Sequence, residues 1–223
     1  MHLEVLVEDA SGNIVVDFLL EKVLGPQRQG HTWRIHSYRG VGRIPPNLRQ
    51  VPDARKRILL ENLPRLLRGY GKAYEHVPDA GVVVVVDSDK KDCKAFKQEL
   101  VNILIACQPS PRTLFRIAIE EIEAWLLGDR KAIKGAYPKA KTAVLRRYVQ
   151  DSVCGTWEVL ADAVYPGGAK RLREVGFPVT GHVKCEWAER ITPYLDIERN
   201  ASTSFRVFRD GIAGFAGVLQ AKV

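Results

Sequence analysis

Short apolar runs alternate with stretches of helical hydrophobic spacing along the first half of the chain. The apolar runs cover residues 3–7, 32–38, 82–86 and 113–119. They have the length of β-strands, and the third consists of valine alone, which predicts a central strand that is buried on both faces. Between the runs, apolar residues recur at intervals of three and four, which predicts helices. This alternation is typical of a parallel sheet flanked by helices, so we predict an α/β domain over residues 1–128.

Two of the predicted helices carry local signals. Asp53 follows a loop rich in glycine and proline and is the predicted N-cap of the second helix, because an aspartate side chain can accept free backbone N–H groups. Pro64 falls inside the apolar stripe of the same helix and predicts a kink or two shorter helices, because proline has no N–H group. A further helix is predicted over residues 120–127, and Gly128 ends it.

Residues 129–223 predict a mainly helical extension that packs on the α/β domain. Near its end, apolar residues are separated by alternating intervals of three and four. They are Phe205, Phe208, Ile212, Phe215 and Leu219. A coiled coil needs a longer seam. The pattern therefore predicts a helix that docks on the core, with a homodimer or another partner contact as the alternative.

The composition is that of an ordinary globular protein. Hydrophobic residues make up 46% and charged residues 27% of the 223 positions, which excludes collagen-like and disordered classes. No uncharged apolar stretch approaches the roughly 18 residues of a transmembrane helix. Glu4 and Glu8 stand where a signal peptide needs its apolar region. The four cysteines include no CxxC pair, which argues against a disulfide framework or a zinc site. We therefore expect a cytoplasmic protein without membrane contact.

Positive charge is concentrated in two segments of a chain whose net charge is +8. The candidate nucleic-acid-binding residues are Arg39, Arg43, Arg55, Lys56 and Arg57 in the first segment and Lys131, Lys139 and Lys141 in the second. A surface of this kind attracts a polyanion such as nucleic acid. For either segment alone, a solvated basic face without a ligand is the alternative.

Acidic residues follow three of the four predicted strands. The clusters are Glu8-Asp9, Asp87-Ser88-Asp89 and residues 120–123. If the strands are parallel, all three clusters lie at the carboxyl edge of the sheet, where α/β proteins bind ligands. Carboxylates in close contact repel each other unless a cation neutralises them, and Mg²⁺ and Mn²⁺ prefer such oxygen ligands. Each cluster alone is also explained as a cap, a turn or a helix start, and phosphatases and sugar transferases also use Asp-x-Asp.

These motifs resemble the Toprim fold of topoisomerases, primases and OLD-type nucleases. The resemblance rests on Leu-Val-Glu at Glu8, on Asp-Ser-Asp after an apolar strand, and on the acidic helix start after the fourth strand. It is closest to a group of bacterial Toprim-like proteins related to OLD-type nucleases and frequently encoded beside ATPases. The segments typical of that group are Glu8 to Gly12, Glu121-Ile-Glu-Ala-Trp125-Leu-Leu-Gly-Asp129 and Ser202-Thr-Ser-Phe205-Arg-Val-Phe208.

The resemblance implies a metal site and a catalytic pair. Its metal ligands would be Glu8, Asp87, Asp89, Glu121 and Glu123. Glu8 would also act as a general acid or base, and Lys184 would supply the lysine that OLD-type nucleases take from their C-terminal part. In one respect the chain departs from the family. Many Toprim domains place glycine directly after the glutamate, whereas Asp9 and Ala10 intervene here, so that Asp9 could share the role of Glu8.

The sequence as a whole predicts a Toprim-like, or Rossmann-like, parallel sheet and a Mg²⁺- or Mn²⁺-dependent nuclease. The expected partner is nucleic acid, with DNA ahead of RNA, and an ATPase subunit in an anti-phage defence setting is implied by the resemblance. The alternative function is a non-catalytic regulatory or interaction subunit of an ATPase or nucleic-acid complex. A phosphatase or sugar transferase that uses Asp87-Ser-Asp89 ranks third, because Lys91 and the position after the third strand do not suit a haloacid-type phosphatase.

Overall fold

A four-stranded parallel sheet forms the centre of the molecule. The computed structural model describes residues 1–53 and 55–217. The strands are β1 (His2–Val7), β2 (Thr32–Ser37), β3 (Ala80–Asp87) and β4 (Thr113–Ala118), in the order β2-β1-β3-β4. All three strand pairs are parallel, so the predicted α/β sheet with parallel strands is confirmed.

Helices cover both faces of this sheet. The helices of the first half are α1 (Ala10–Leu24), α2 (Leu59–Ala73), α3 (Cys93–Ala106) and α4 (Glu123–Leu127). Those of the second half are α5 (Arg130–Ala136), α6 (Thr142–Arg147), α7 (Thr156–Val164), α8 (Gly168–Val175), α9 (Phe177–Ile191) and α10 (Thr203–Phe215). A short 3-10 helix, Thr192–Tyr194, follows α9. No helix within the described residues is long and apolar enough to cross a membrane.

The alternation of side chains along the central strands separates two cores. Val83 and Val85 of β3 belong to one core, and Val82, Val84 and Val86 belong to the other. All five valines are buried, as the apolar run predicts for a central strand. The first core is continuous with α1 and with the helices of the second half, so these helices share one apolar interior with the sheet.

The C-terminal apolar seam docks on this shared core. Phe205, Phe208 and Ile212 are fully buried, and Phe215 packs against the same cluster. Ser202 caps the helix that carries them, because its hydroxyl accepts the backbone N–H of Phe205 at 3.1 Å. Leu219, the last residue of the predicted seam, lies outside the described residues.

The second helix departs from the expected N-cap and from one of the two outcomes expected at Pro64. It begins at Leu59 with Ile58 as its N-cap, so the prediction that Asp53 caps it is wrong. Asp53 instead accepts the backbone N–H of Arg55 within the preceding loop. Pro64 is buried inside one uninterrupted helix, so the alternative of two shorter helices is wrong and the kink stays a prediction. The helix predicted from residue 120 begins three residues later, at Glu123.

Candidate functional site

Parallel strands bring distant acids together at one edge of the sheet. Glu8 follows β1 directly, and Asp87 is the last residue of β3, which lies beside β1. The backbone N–H of Asp87 donates to Oε2 of Glu8 over 3.3 Å. The expectation that these two residues meet is therefore confirmed.

A lysine from the second half of the chain reaches into this acidic edge. Lys184 extends from α9, which packs against α1, and places its Nζ 3.3 Å from Oε2 of Glu123 and 3.8 Å from Oε1 of Glu121. Only 14% of the Lys184 side chain and 1% of the Glu123 side chain are exposed. Residues far apart in the sequence thus form one cluster, which we call the acidic cluster. Its members are Glu8, Asp9, Asp87, Glu121, Glu123 and Lys184.

Four acids of this cluster have pKa values above their ordinary values. Burial raises the pKa of Glu8 to about 7 and that of Glu121 to about 7. Burial and the charge of Glu8 raise the pKa of Asp87 well above its ordinary value. Burial also raises the pKa of Glu123. The one ammonium group in the cluster therefore does not offset the cost of ionising all of these buried acids together.

Electrostatics keep that ammonium group charged. Burial would lower the pKa of Lys184, but the surrounding carboxylates, first Glu123 and then Glu121 and Asp87, raise it above its ordinary value. Lys184 is thus a fixed positive charge and not a proton donor near neutral pH. Glu8 and Glu121, each with a pKa of about 7, are the members suited to exchange a proton there.

Asp9 and Asp89 stand at the rim of the cluster. Asp9 is the N-cap of α1, and its Oδ1 accepts the backbone N–H of Gly12 at 2.7 Å while Ser11 donates its hydroxyl to Oδ2 at 2.9 Å. Asp89 is exposed, and its charge contributes to the raised pKa of Glu8. Of the two, only Asp89 has a side chain free to turn toward a ligand, because capping occupies Asp9.

Glu120 has a structural role that its sequence neighbours do not share. Its carboxylate accepts the backbone N–H groups of Cys154, Gly155 and Thr156 at 3.2, 2.8 and 2.8 Å. This contact ties the loop before α7 to the end of β4. The hydroxyl of Thr156 then donates to Oε2 of Glu121 at 3.3 Å, so the tie also positions an acid of the cluster. Sequence spacing gives no signal for it, because the partners are about three dozen residues away.

Replacing Glu120 by glutamine is expected to lower the free energy of unfolding by about 1–3 kcal/mol. The amide retains one acceptor oxygen where two now serve three backbone N–H groups. The N–H group of Thr156 is buried, and an unsatisfied buried donor costs about that much. Urea denaturation measures the effect, with Glu99→Gln on the exposed face of α3 as the matched control. Equal stability of the two variants would show that Glu120 does not tie down the loop.

The first basic segment begins beside Glu8. The backbone N–H of Gly40 donates to the carbonyl of Glu8 at 3.1 Å, and Val41 donates to its carboxylate. Arg39 stands next to these residues, and its backbone N–H donates to the carbonyl of Arg57 at 2.8 Å. The structure therefore places Arg39 and Arg57 near the acidic cluster, and both are exposed.

The remaining basic candidates lie in the rest of the first basic loop and in the second basic segment. Arg43 and Lys56 line an open cleft of about 540 Å³ in the same loop, and Arg55 is exposed next to it. Lys131 lies in the first turn of α5, beyond the end of α4 that is opposite to Glu123. Lys139 and Lys141 of the second segment are exposed in the connection between α5 and α6. Within the described residues, no ion pair joins this second segment to the acidic cluster.

A cleft of about 440 Å³ opens beside the acids. Asp89 and Glu121 line it, together with Lys90, Trp157 and Glu158. Trp157 is the one partly exposed tryptophan within the described residues, because Trp33, Trp125 and Trp187 are buried. Sequence reasoning did not single out Trp157. The guanidinium of Arg173 lies over its ring, 5.5 Å from the centroid, in a cation–π contact.

The donor set has the chemistry of a hard divalent cation site. Every candidate ligand is a carboxylate, and Oε2 of Glu123 is buried without a hydrogen-bond partner despite its ion pair with Lys184. Across residues 1–53 and 55–217, no three His, Cys, Asp or Glu side chains stand close enough to share one ion. Mg²⁺, however, commonly takes one or two carboxylates and completes its shell with waters and phosphate oxygens. Glu8 and Asp87, which are joined through the backbone N–H of Asp87, are the two carboxylates that would serve such an ion.

Comparison with known proteins leaves the site to be interpreted from its geometry. Neither the family models, nor the curated proteins, nor the solved structures contain a match to this chain.

Proposed function

We propose that this protein is a metal-dependent nuclease that cleaves nucleic-acid phosphodiesters, with DNA as the expected substrate. The observation that carries the proposal is the imbalance of the acidic cluster at the carboxyl edge of a parallel sheet. One lysine faces four carboxylates there, and the carboxylate of Glu8 lies beside Asp87. Such an arrangement costs stability, and a divalent cation removes that cost. The resemblance to Toprim nucleases supports the same conclusion from the motifs.

The residues divide the chemistry between them. Glu8 and Asp87 would hold Mg²⁺ or Mn²⁺, and waters and phosphate oxygens would complete its shell. Asp89, Glu121 and Glu123 stay candidate ligands on the resemblance alone, because no three such side chains of the described residues converge on one point. When bound, the ion would neutralise charge on the phosphodiester and make a water more acidic. As the resemblance implies, Glu8 would also exchange a proton with the attacking water or the leaving oxygen. Lys184 fixes Glu121 and Glu123 in place, and Arg39 and Arg57 can hold phosphates of the backbone.

The proposal predicts cleavage that depends on a divalent cation. Plasmid DNA and labelled single-stranded oligonucleotides are incubated with the protein and Mn²⁺ or Mg²⁺, and products are separated on a gel. Cleavage is expected with either ion and is expected to stop when EDTA is added. Ca²⁺ should support binding with much weaker cleavage, since its larger, flexible shell positions water poorly. Release of phosphate from p-nitrophenyl phosphate without nucleic-acid cleavage would favour the phosphatase alternative and contradict the proposal.

The second candidate is a non-catalytic subunit of an ATPase or nucleic-acid complex. One observation favours it, namely that the ammonium group of Lys184 already occupies space between Glu121 and Glu123. Calorimetric titration with Mn²⁺ separates the two functions. Binding that Asp87→Asn abolishes supports the nuclease, whereas an absence of binding supports the second candidate.

Neutralising the basic loop near Glu8 is expected to weaken binding to DNA. With EDTA present to prevent cleavage, Arg39→Gln/Arg43→Gln should lose affinity and flatten the dependence of log K on log salt by about 0.9 for each phosphate contact removed. Fluorescence anisotropy with a labelled oligonucleotide over about 50 to 200 mM salt measures both quantities. Lys139→Gln/Lys141→Gln is the charge-matched comparison. A larger loss in that comparison variant would place the nucleic-acid path over the second basic segment.

A further inference from the structure

The outer edge of the sheet at β4 has backbone groups without a partner. β4 pairs with β3 on one side only, and the N–H groups of Val82 and Ser88 donate to the carbonyls of Arg112 and Ala118. In a parallel pair, the backbone N–H and C=O groups of every second residue point toward the partner strand. Between Arg112 and Ala118, the backbone groups of the intervening alternate residues therefore point away from β3. The outward residues are Thr113, Phe115 and Ile117. Within the described residues, none of their backbone N–H groups donates a hydrogen bond.

Two helices turn this edge into a groove of about 350 Å³. One wall comes from the first turns of α3, and the other comes from α10. The lining residues are Cys93, Lys94 and Lys97 on α3, Thr203, Ser204 and Val207 on α10, and Phe115, Arg116, Ile117 and Ile119 between them. The lining is mainly apolar, and Val207 is 51% exposed although it lies in the wall. An exposed apolar strand edge is a site at which another strand can pair.

Arg116 gives the groove an unbalanced positive charge. The guanidinium is half-buried, its Nε is buried without a hydrogen-bond partner, and burial lowers its pKa. Its Nη1 donates to the carbonyl of Phe115 at 2.8 Å, and within the described residues no carboxylate pairs with it. Gly211 of α10 allows this position, because a Cβ at residue 211 would overlap the guanidinium. A cation held out of water in this way is stabilised by an incoming carboxylate.

The one acid in the groove cannot serve as that carboxylate. Asp151 accepts the hydroxyls of Ser202 and Ser204 on Oδ1 at 2.7 and 3.0 Å, and its Oδ2 accepts the backbone N–H of Ser204 at 2.9 Å. These bonds fix the start of α10. Arg116 is therefore left with Lys94 and Lys97, both exposed, as charged neighbours across the groove.

We propose that this groove binds an acidic, extended peptide segment of a partner protein, which adds to β4 as a fifth strand. The peptide backbone would pair with the outward N–H groups of Phe115 and Ile117. Its apolar side chains would cover Ile119 and Val207, and a carboxylate would reach Arg116. The positive charge of the groove disfavours a second copy of this chain as the added strand. Two-fold pairing of β4 with itself would bring two copies of Arg116, Lys94 and Lys97 together, and like charges across an interface are unfavourable.

A random octapeptide display library, selected on the full chain, tests this inference. Peptides rich in Asp and Glu with alternating apolar residues are expected, and the strongest of them is then synthesised and labelled for fluorescence anisotropy. Lys94→Glu/Lys97→Glu should weaken its binding at least about 10-fold, equal to about 1.4 kcal/mol. Lys72→Glu/Lys170→Glu, which changes the same charge at exposed sites on α2 and α8, should change binding less than about twofold.

Backbone pairing is checked by NMR and by the peptide itself. Added peptide should protect the amides of Phe115 and Ile117 from hydrogen exchange, and a peptide N-methylated at alternate positions should not bind. The inference is wrong if the library gives no enriched peptide, if enriched peptides lack acidic residues, or if both charge-reversal variants weaken binding equally. A dimer in analytical ultracentrifugation that protects the same two amides without peptide would replace the peptide with a second copy of the chain.

Discussion

Asp87→Asn is expected to reduce metal-dependent cleavage at least about 1000-fold, which corresponds to about 4 kcal/mol of transition-state stabilisation. Asparagine has nearly the shape of aspartate, and the backbone N–H that donates to Glu8 is retained. The variant lacks one negative charge beside Glu8, at the carboxyl ends of β1 and β3. Initial rates of plasmid nicking in Mn²⁺ measure the effect.

The same variant is expected to be at least as stable as the parent protein. Burial and the charge of Glu8 raise the pKa of Asp87, so a neutral amide removes an unfavourable charge from the cluster. Loss of activity together with unchanged or higher stability separates a functional role from a structural one. Asp79→Asn is the matched control, because Asp79 is exposed and immediately precedes the same strand at its other end. Cleavage that survives in Asp87→Asn would show that the acidic cluster is not the nuclease site.

The sheet and the meeting of its acids could be predicted because both follow from hydrophobic periodicity. Strands that alternate with helices run parallel, and parallel strands end at one edge. The order of strands along the chain therefore brought Glu8 to Asp87 without any knowledge of contacts. The valine run gave the central strand for a similar reason, since a strand that is apolar on both faces is buried on both.

Features that depend on tertiary contacts had no local signal. Asp53 has the right side chain for an N-cap, but the position of α2 is set by burial of Leu59 and Leu63 in the second core. Glu120 belongs to an acidic run, yet its positive φ and its three N–H partners arise from a loop that follows much later. Arg116 lies in a strand like any other residue, and its lack of an acidic partner is visible only once α10 is in place.

Lys184 illustrates the boundary between the two cases. Its sequence neighbourhood has no pattern that marks a site, and it became a candidate through the resemblance to OLD-type nucleases alone. The structure explains its position independently of the resemblance. Because α9 packs on α1, the Lys184 side chain lies at the start of α4, beside Glu123. Whether it acts in cleavage stays a prediction, but its effect on stability can be derived from burial and charge.

Lys184→Met is expected to lower the free energy of unfolding by about 3–5 kcal/mol at about pH 8, since it removes one partner from a buried ion pair. The pH dependence has a definite sign. The pKa values of Glu8 and Glu121 are raised by burial to about 7 in the folded protein, so both states are protonated at low pH. As the pH rises above about 4.5, the unfolded chain releases these protons first and the folded state loses stability until about pH 7. Without the lysine, the folded state loses more stability over this pH range. The difference in free energy of unfolding between Lys184→Met and the parent protein should therefore be small at about pH 5 and reach its full size at about pH 8.

Urea denaturation of the variant at both pH values, with and without Mn²⁺, makes this test specific. Lys170→Met on the exposed side of α8 is the control and should change stability by less than about 0.5 kcal/mol at either pH. If a divalent cation belongs in the cluster, Mn²⁺ should restore more stability to Lys184→Met than it adds to the parent protein, because it supplies the missing positive charge beside Glu123. A deficit that is the same at both pH values and insensitive to Mn²⁺ would mean that Lys184 stabilises the fold through its packing, and that the acids around it do not form the charged centre on which the proposed nuclease depends.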